Sequence, residues 1–211
     1  MFFYRLTVSL NIPSYALAII MMTVLIKVAL YPLTVKQMRS MSNMKAIQPE
    51  MDKIKNKYKN NENKEKMNKE VMDLYKKYNV NPAAGCLPLF IQMPILIGLF
   101  TALREFQFVN IEHAQFFWID NLANPDPYII LPILVAVASF AQTKLSSPAA
   151  GGAGQNIVLT YFMPLFIGYV SIKFPAGLCL YWVFFNGLGV FQQMLINRHK
   201  EGVKPNEKLA N

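Results

Sequence analysis

A lysine inside a long apolar run near the N-terminus is the residue whose type and position most clearly imply chemistry. Lys27 stands roughly 13 Å along a helix axis from Lys36, the next charged residue. A charge at such depth in a bilayer is costly and usually faces water or a partner. The apolar runs contain no Asp or Glu to pair with it. Lys27 therefore predicts a water-filled cavity, with snorkelling toward the membrane surface as the alternative.

Polar side chains recur in the other apolar runs of the chain. Thr23 lies one turn before Lys27 on the same helix face, and Ser139 and Gln142 share a face in the same way. Taken singly, such groups are typical of hydrogen bonding between membrane helices. Their distribution around one unpaired cation favours a shared hydrophilic pocket lined by Thr23, Lys27, Gln92, Ser139, Gln142, Thr160, Trp182 and Asn186.

Covalent catalysis has little support in the sequence. Ser139, Cys86 and Cys179 lie in apolar runs, whereas His113 and His199 lie outside them, so no nucleophile has a base at membrane depth. The two cysteines lack the spacing of a metal site and are typical of buried free thiols. The sequence predicts no enzyme chemistry, no bound metal and no cofactor.

Five apolar stretches must position these side chains. The chain has 211 residues, of which 54% are hydrophobic and 16% charged, with a net charge of +9; soluble domains are about 25% charged. A helix needs about 20 mostly apolar residues to cross a bilayer. The sequence predicts an all-α polytopic membrane protein with spans at residues 15–35, 83–103, 128–145, 157–172 and 176–197.

The connections between these spans differ in charge. Lys and Arg concentrate in residues 36–79 and 198–211, so the positive-inside rule places both in the cytoplasm and the N-terminus outside. Residues 146–156 are predicted to form a flexible cytoplasmic loop. Residues 1–14 and 104–127 are predicted outer interfacial segments, the second carrying Phe106, Phe108, Phe116, Phe117 and Trp118.

The basic connection, residues 36–79, has helical periodicity. Apolar residues step by four and three in each half, as in the seam between two packed helices. Paired positions keep a constant sum, which is typical of antiparallel helices that reverse near Asn63. The sequence predicts a cytoplasmic helical hairpin, with a solvated linker as the alternative. The seam is formed by Ile47, Met51, Ile54, Tyr58, Met67, Val71, Leu74 and Tyr78.

Four stretches resemble the YidC family of membrane protein insertases. NPAAGCLPLFIQMPILIGLF at residues 81–100 resembles the family's second span, and FPAGLCLYWVFFNGLGVFQQMLIN at 174–197 resembles its last. YPLTVKQMRSMSNMKAIQPEM at 31–51 resembles the end of the first span and the start of the hairpin. DPYIILP at 126–132 resembles the start of the third span.

The resemblance implies five helices around a hydrophilic groove that opens to the cytoplasm and the lipid. In the family a cation of the first span attracts acidic residues of the incoming chain, and Lys27 occupies that position. Bacterial members usually carry arginine there; lysine keeps the charge but loses the bidentate fork. Thr23, Gln142 and Trp182 match further groove positions. The chain resembles the short form common in Gram-positive bacteria, without a large extracytoplasmic domain.

The residues and the resemblance together predict a non-enzymatic insertase and chaperone of the bacterial plasma (inner) membrane. Its expected partners are nascent small or single-span membrane proteins and the lipid bilayer, with the Sec translocon and the ribosome as further partners. The Lys-rich hairpin favours anionic headgroups or an acidic partner over sequence-specific nucleic acid. The alternatives are a small-solute transporter, for which internal repeats are expected, and an intramembrane enzyme.

Overall fold

A computed structural model of the chain describes residues 2–58, 63–81, 87–105, 111–146 and 158–198. Secondary structure in these ranges is helical apart from one isolated bridge between Phe116 and Ile119. The all-α class predicted from the sequence is confirmed. Cys86, His199, Phe106 and Phe108, the loop 147–156 and the tail 199–211 lie outside the described residues.

Nine α-helices are assigned within the described ranges, together with two short turns of other helical types. The helices are α1 Phe2–Ser9, α2 Tyr15–Ala29, α3 Tyr31–Ala46, α4 Gln48–Lys57, α5 Lys64–Lys77, α6 Leu87–Glu105, α7 Ile130–Ser146, α8 Met163–Ser171 and α9 Ala176–Arg198. A 3-10 turn covers Ile111–Ala114, and a π-helical turn at Val158–Phe162 precedes α8.

The first expected span, residues 15–35, is not one straight helix. α2 ends at Ala29, and α3 leaves Leu30 at an angle of 64°. Pro32 stands in the first turn of α3, where its missing N–H is tolerated but cannot continue the hydrogen bonding of α2. The bend directs α3 away from the axis of α2, so residues 31–35 belong with the helix that leads toward α4.

Within the described ranges, only part of the apolar sequence forms long helices. Among the described helices, Ala176–Ile196 alone is long and apolar enough to cross a membrane by itself. The bent pair α2–α3 satisfies the same length and hydropathy criterion when its two helices are taken together. Phe90–Leu103 and Ile130–Ser146 are apolar but shorter. The other expected span, 157–172, corresponds to the π turn followed by α8.

Helix α9 lies at the centre of the bundle and packs against α2, α6 and α7. Its first turns are buried, and Tyr181 is fully enclosed among apolar residues of the neighbouring helices. α7 also packs closely against α8. The two helices approach so closely that a Cβ placed on Gly168 would lie 2.6 Å from the Ala136 Cβ. These contacts hold the polar faces of α2, α7 and α9 next to one another.

Residues 111–127 close the end of the bundle at which α9 begins. The backbone N–H groups of Ala176 and Gly177 donate to carbonyls of Asn124 and Leu122, at 2.7 and 2.9 Å. The buried Asp126 carboxylate accepts hydrogen bonds from the backbone N–H of Leu131 in the first turn of α7, from that of Tyr128 just before the helix, and from the Trp118 indole. The segment therefore caps two helices at once.

The aromatic residues expected at the outer surface are divided between surface and core. Phe117 is 86% exposed, whereas Phe116 and Trp118 pack against the main core. The reversal of the chain at the Phe116–Ile119 bridge turns alternate side chains inward. The sequence predicts all of these rings at the outer surface, whereas Phe116 and Trp118 face the core.

Helices α4 and α5 pack antiparallel. The Tyr75 hydroxyl lies 3.2 Å from the Met51 sulfur, and at the far end Lys57 pairs with Glu70. Among the expected seam residues, Ile47, Met51 and Leu74 are buried, and Ile54, Val71 and Tyr78 pack against them. Tyr58 and Met67 are half-buried outside this cluster, which instead includes Met44, Tyr75 and Val80.

Candidate functional site

Lys27 occupies the last turn of α2 and faces α9. Its side chain is 7% exposed, and its Nζ lies 3.6 Å from the centroid of the Phe185 ring. The negative face of an aromatic ring attracts a cation, and the attraction is larger where water is excluded. Among the residues that the structure describes, Lys27 has no hydrogen-bond or ion-pair partner. The ring holds the ammonium group while its donors remain available.

Gly189 provides the space in which Lys27 and Gln142 meet. A Cβ on Gly189 would lie 2.6 Å from Gln142 Oε1 and 3.1 Å from Lys27 Nζ. Gln142 Nε2 donates to Ser146 Oγ at 2.8 Å, which orients the amide. The buried Oε1 accepts no hydrogen bond within the described ranges. A cationic donor and an unused acceptor therefore lie beside the same backbone position of α9.

A second polar contact joins α7 to α9. Asn186 Nδ2 donates to Ser139 Oγ at 3.3 Å and to the backbone carbonyl of Trp182 at 3.0 Å. Both Asn186 and Ser139 are buried. The Trp182 side chain is half-buried and packs against the main core. The hydrogen bond that Trp182 accepts from Asn186 involves its backbone carbonyl and not its side chain. Asn186 directly follows Phe185 in the sequence, and its contact with Ser139 joins the two helices.

The remaining predicted site residues make other contacts. The fully buried Thr23 donates to the Ile19 carbonyl of its own helix at 2.7 Å. Gln92 donates to the Tyr181 hydroxyl at 3.1 Å, which ties α6 to the core. Thr160 is half-buried in the π-helical turn. The structure thus places Lys27 beside Gln142 and Ser139 beside Asn186. Within the described residues, Thr23, Gln92 and Thr160 make no hydrogen bond to either pair.

Two residues of this site, Phe185 and Gly189, are absent from the sequence prediction. The position of Phe185 in an apolar helix is equally typical of an aromatic residue that faces lipid or the core, so the sequence does not single it out. A glycine inside an apolar helix is a recognised sign of close helix approach, and this signal identifies Gly189 but equally Gly187. Only the structure separates them, since a Cβ on Gly187 would meet nothing within 4 Å.

The α4–α5 pair carries the clearest electrostatic contacts outside the bundle. Glu70 accepts hydrogen bonds from Lys57 and from the Tyr58 hydroxyl, both at 2.7 Å. The hydrogen bond from Lys57, followed by that from Tyr58, lowers the pKa of Glu70 below its ordinary value. The hydrogen bond to Glu70 raises the pKa of Lys57. A hydrogen bond to Glu50 likewise raises the pKa of Tyr78.

The described part of the chain contains no group of three or more His, Cys, Asp or Glu side chains placed to hold a metal ion. Cys179 is a buried free thiol in the first turn of α9, with its sulfur 3.5 Å from the Ser171 carbonyl. The chemistry that these residues offer is binding by charge and hydrogen bonding.

The fold and site define a helical protein in which a buried cation lies beside polar groups of neighbouring helices. Residues 7–204 match the family described as 60Kd inner membrane protein. The chain belongs to this family, as the resemblance to YidC predicted.

Named relatives specify the family further. The chain is 46% identical over 188 residues to the membrane protein insertase MisCA of Bacillus subtilis, covering 87% of this chain and 70% of the relative. It is 45% identical over 188 residues to the membrane protein insertase YidC 2 of Bacillus anthracis, covering 87% and 72%. The membrane protein insertase YidC 1 of Listeria monocytogenes is 41% identical over 202 residues, covering 93% and 69%.

A solved structure, described as an active YidC insertase with its first transmembrane domain resolved, has the same fold. The TM-score is 0.69 at 28% sequence identity, and the match covers 95% of this chain. The chain spans 44% of the length of that solved chain. These relatives imply a bacterial inner-membrane location for the present chain.

Proposed function

We propose that this chain inserts proteins into the membrane, the activity that the names of its relatives state. The observation that carries the proposal is the buried Lys27 ammonium, which lies over Phe185 with no acidic partner among the described residues. Keeping a cation at this position is costly unless something binds it. An incoming polar or acidic segment supplies the missing partner during insertion.

The site belongs to a five-span arrangement around a hydrophilic groove. In this arrangement α2, α6, α7, α8 with its preceding turn, and α9 supply the spans, and Lys27 lies between α2 and α9. Basic residues in 36–79 and 198–211 place these segments in the cytoplasm and the N-terminus outside. Residues 111–127 close the outer end, where they cap α7 and α9. The groove is therefore accessible from the cytoplasm.

Insertion on this site proceeds without a covalent step. The polar tail of the substrate enters the groove, where Lys27, Gln142, Ser139 and Asn186 replace part of its hydration. An unpaired polar group in hydrocarbon costs several kcal/mol, and these contacts lower that barrier. The apolar segment then partitions into lipid beside α7 and α9, and burial of its surface drives the process at about 25 cal/mol per Å².

The α4–α5 pair forms a cytoplasmic helical hairpin that receives substrates. Its core is apolar, and lysines cover its outer faces, which attract anionic headgroups and acidic partners. Nascent membrane proteins are the substrates, and the Sec translocon and the ribosome are partners for the hairpin and the tail.

Reconstitution of this protein alone tests the function. Proteoliposomes are given a single-span substrate with an acidic N-terminal tail, and protease-protected product is measured. We expect insertion above that of empty liposomes, a loss with Lys27→Ala and retention with Lys27→Arg. Lys144→Ala is the matched control, because the exposed Lys144 also lies near a phenylalanine ring, 5.7 Å from that of Phe140.

Each departure from this pattern has a distinct meaning. If Lys27→Ala inserts the acidic substrate as well as wild type does, the proposed role of the cation is wrong. If no variant and no wild-type protein exceeds empty liposomes, the insertase function itself fails for this chain, and transport of a small solute becomes the leading alternative.

A further inference from the structure

The last turn of α3 joins the α4–α5 pair to the helix bundle. Met44 is buried in the apolar cluster of this pair, together with Ile47 and Met51. The following residue, Lys45, reaches the bundle instead, and its Nζ donates to the backbone carbonyl of Leu145 at 2.7 Å. Two consecutive side chains of α3 therefore contact two different parts of the protein.

The carbonyl that accepts from Lys45 belongs to the end of a helix. α7 ends at Ser146, and the last four carbonyls of an α-helix have no hydrogen-bond partner within the helix. These carbonyls form the negative end of the helix dipole, so a lysine ammonium is a favourable partner for them. The donor lies 100 positions earlier in the chain, which makes this helix cap a tertiary contact.

The turn of α7 that Lys45 caps also carries Gln142. Gln142 Nε2 donates to Ser146 Oγ at 2.8 Å, a contact between residues four apart that the helical conformation brings together. Gln142 Oε1 and Lys27 Nζ both lie beside the position that a Cβ of Gly189 would occupy. Fraying of the last turn of α7 would therefore release the Gln142 amide from its place beside Lys27.

We propose that Lys45 is a positioning residue that couples the α4–α5 pair to the polar site at Lys27. By binding the Leu145 carbonyl, Lys45 keeps the last turn of α7 helical and the Gln142 amide in place. A partner that displaces the α4–α5 pair moves Met44 and with it Lys45, so the turn loosens and Gln142 is released. This inference rests on the proposed insertase function and concerns the regulation of its site.

Amide hydrogen exchange in detergent, without substrate, tests the contact itself. Lys45→Met keeps an unbranched side chain and removes its charge and donors. We expect the amides of residues 143–146 to exchange about 10-fold faster than in wild type, the effect of losing one hydrogen bond from a charged donor, while amides in the middle of α7 keep wild-type rates. Lys45→Arg should restore slow exchange. Lys36→Met is the matched control, because it removes an exposed lysine from the same helix and should leave exchange unchanged.

A double-mutant cycle tests whether the α4–α5 pair acts through Lys45. Met44→Ala removes packing between α3 and the α4–α5 cluster, and we expect it to speed exchange of residues 143–146 about 3-fold or more. In a Lys45→Met background the same substitution should add no further increase, because the connection is already lost. Additive effects of the two substitutions, or wild-type exchange in Met44→Ala, would overturn the coupling.

Insertion of an acidic-tailed substrate into proteoliposomes separates this proposal from the insertase function. Lys45→Met should slow insertion about 3- to 10-fold, and it should have no further effect once Gln142→Leu is present. Wild-type exchange at residues 143–146 in Lys45→Met, or the same loss of insertion in the Gln142→Leu background, overturns the positioning role and leaves the insertase function intact. Failure of wild-type protein to exceed empty liposomes overturns the insertase function instead, while the exchange rates still decide the role of Lys45.

Discussion

Replacement of Gly189 by alanine should separate insertion activity from stability. The new methyl carbon would lie 2.6 Å from Gln142 Oε1 and 3.1 Å from Lys27 Nζ. Non-bonded heavy atoms prefer about 3.5 to 4 Å, so the Gln142 oxygen must move by about 1 Å and the ammonium by somewhat less. Both atoms are the ends of flexible side chains, which can rotate away without moving the backbone.

The free-energy balance of this substitution is close to zero. Alanine is favoured over glycine inside a helix by about 0.5–1 kcal/mol, which offsets the cost of moving two side-chain ends. Displacing a positioned group by about 1 Å, however, can lower the rate of the process it serves about 100-fold. We expect Gly189→Ala to keep a near wild-type thermal midpoint and to insert an acidic-tailed substrate about 10- to 100-fold more slowly.

Gly187→Ala supplies the matched control, because a Cβ there meets nothing within 4 Å. Thermal midpoints in detergent and initial insertion rates in proteoliposomes are measured for both variants and wild type. Gly187→Ala should insert as wild type does. Wild-type insertion by Gly189→Ala, or an equal loss in both variants, would refute the assignment of this space to the Lys27–Gln142 site.

Three further predictions concern packing, capping and charge. Gly168→Ala should lower the free energy of unfolding by about 1–3 kcal/mol, measured by thermal unfolding in detergent. Its new methyl would lie 2.6 Å from the Ala136 methyl and 3.3 Å from the Pro132 carbonyl of α7, and neither group can rotate away. Asp126→Ala should cost about 2–4 kcal/mol in the same assay by removing a helix cap and orphaning an indole donor, while the exposed Asp120→Ala stays neutral. NMR titration should place the pKa of Glu70 below 4.5, and Lys57→Met should raise this pKa. Because the pKa is lowered in the folded state, the contact stabilises α4–α5 above pH 4.5. This stabilisation is lost as the pH falls through the folded-state pKa.

The position of the buried cation was accessible from the sequence, whereas its surroundings were not. The long uncharged stretches on either side of Lys27 indicate its depth, and the absence of nearby acids shows that it lacks an ordinary partner. Its contact with Phe185 depends on the rotation of α9 relative to α2, which helical periodicity alone does not fix. The space at Gly189 depends on the same rotation and on the distance between α7 and α9.

The α4–α5 pair shows a similar limit. The spacing of Met51 and Leu74 predicts an apolar face on each helix, because periodicity reports which residues share a face, and both side chains are buried. The sequence does not reveal that Tyr75, the residue after Leu74, is buried against Met51. The same cluster includes Met44, which lies outside the expected seam.

The bend after α2 lies inside the predicted span 15–35. A proline such as Pro32 removes one helical hydrogen bond and can kink a helix, but its presence does not fix the angle. Beyond the 64° change of direction at Leu30, α3 packs against α7 and α9, which are distant parts of the chain. One such contact is the hydrogen bond from Lys45 Nζ to the Leu145 carbonyl, at 2.7 Å.

Charge reversal at Lys27 tests the central claim most directly. Proteoliposomes with wild-type or Lys27→Glu protein are given two substrates that differ only in an acidic or a basic N-terminal tail, without a membrane potential. If the buried charge selects the tail, Lys27→Glu should lower insertion of the acidic tail by at least about 10-fold and raise insertion of the basic tail above the wild-type level. An equal loss for both tails at an unchanged thermal midpoint, or no change for either, would contradict the account.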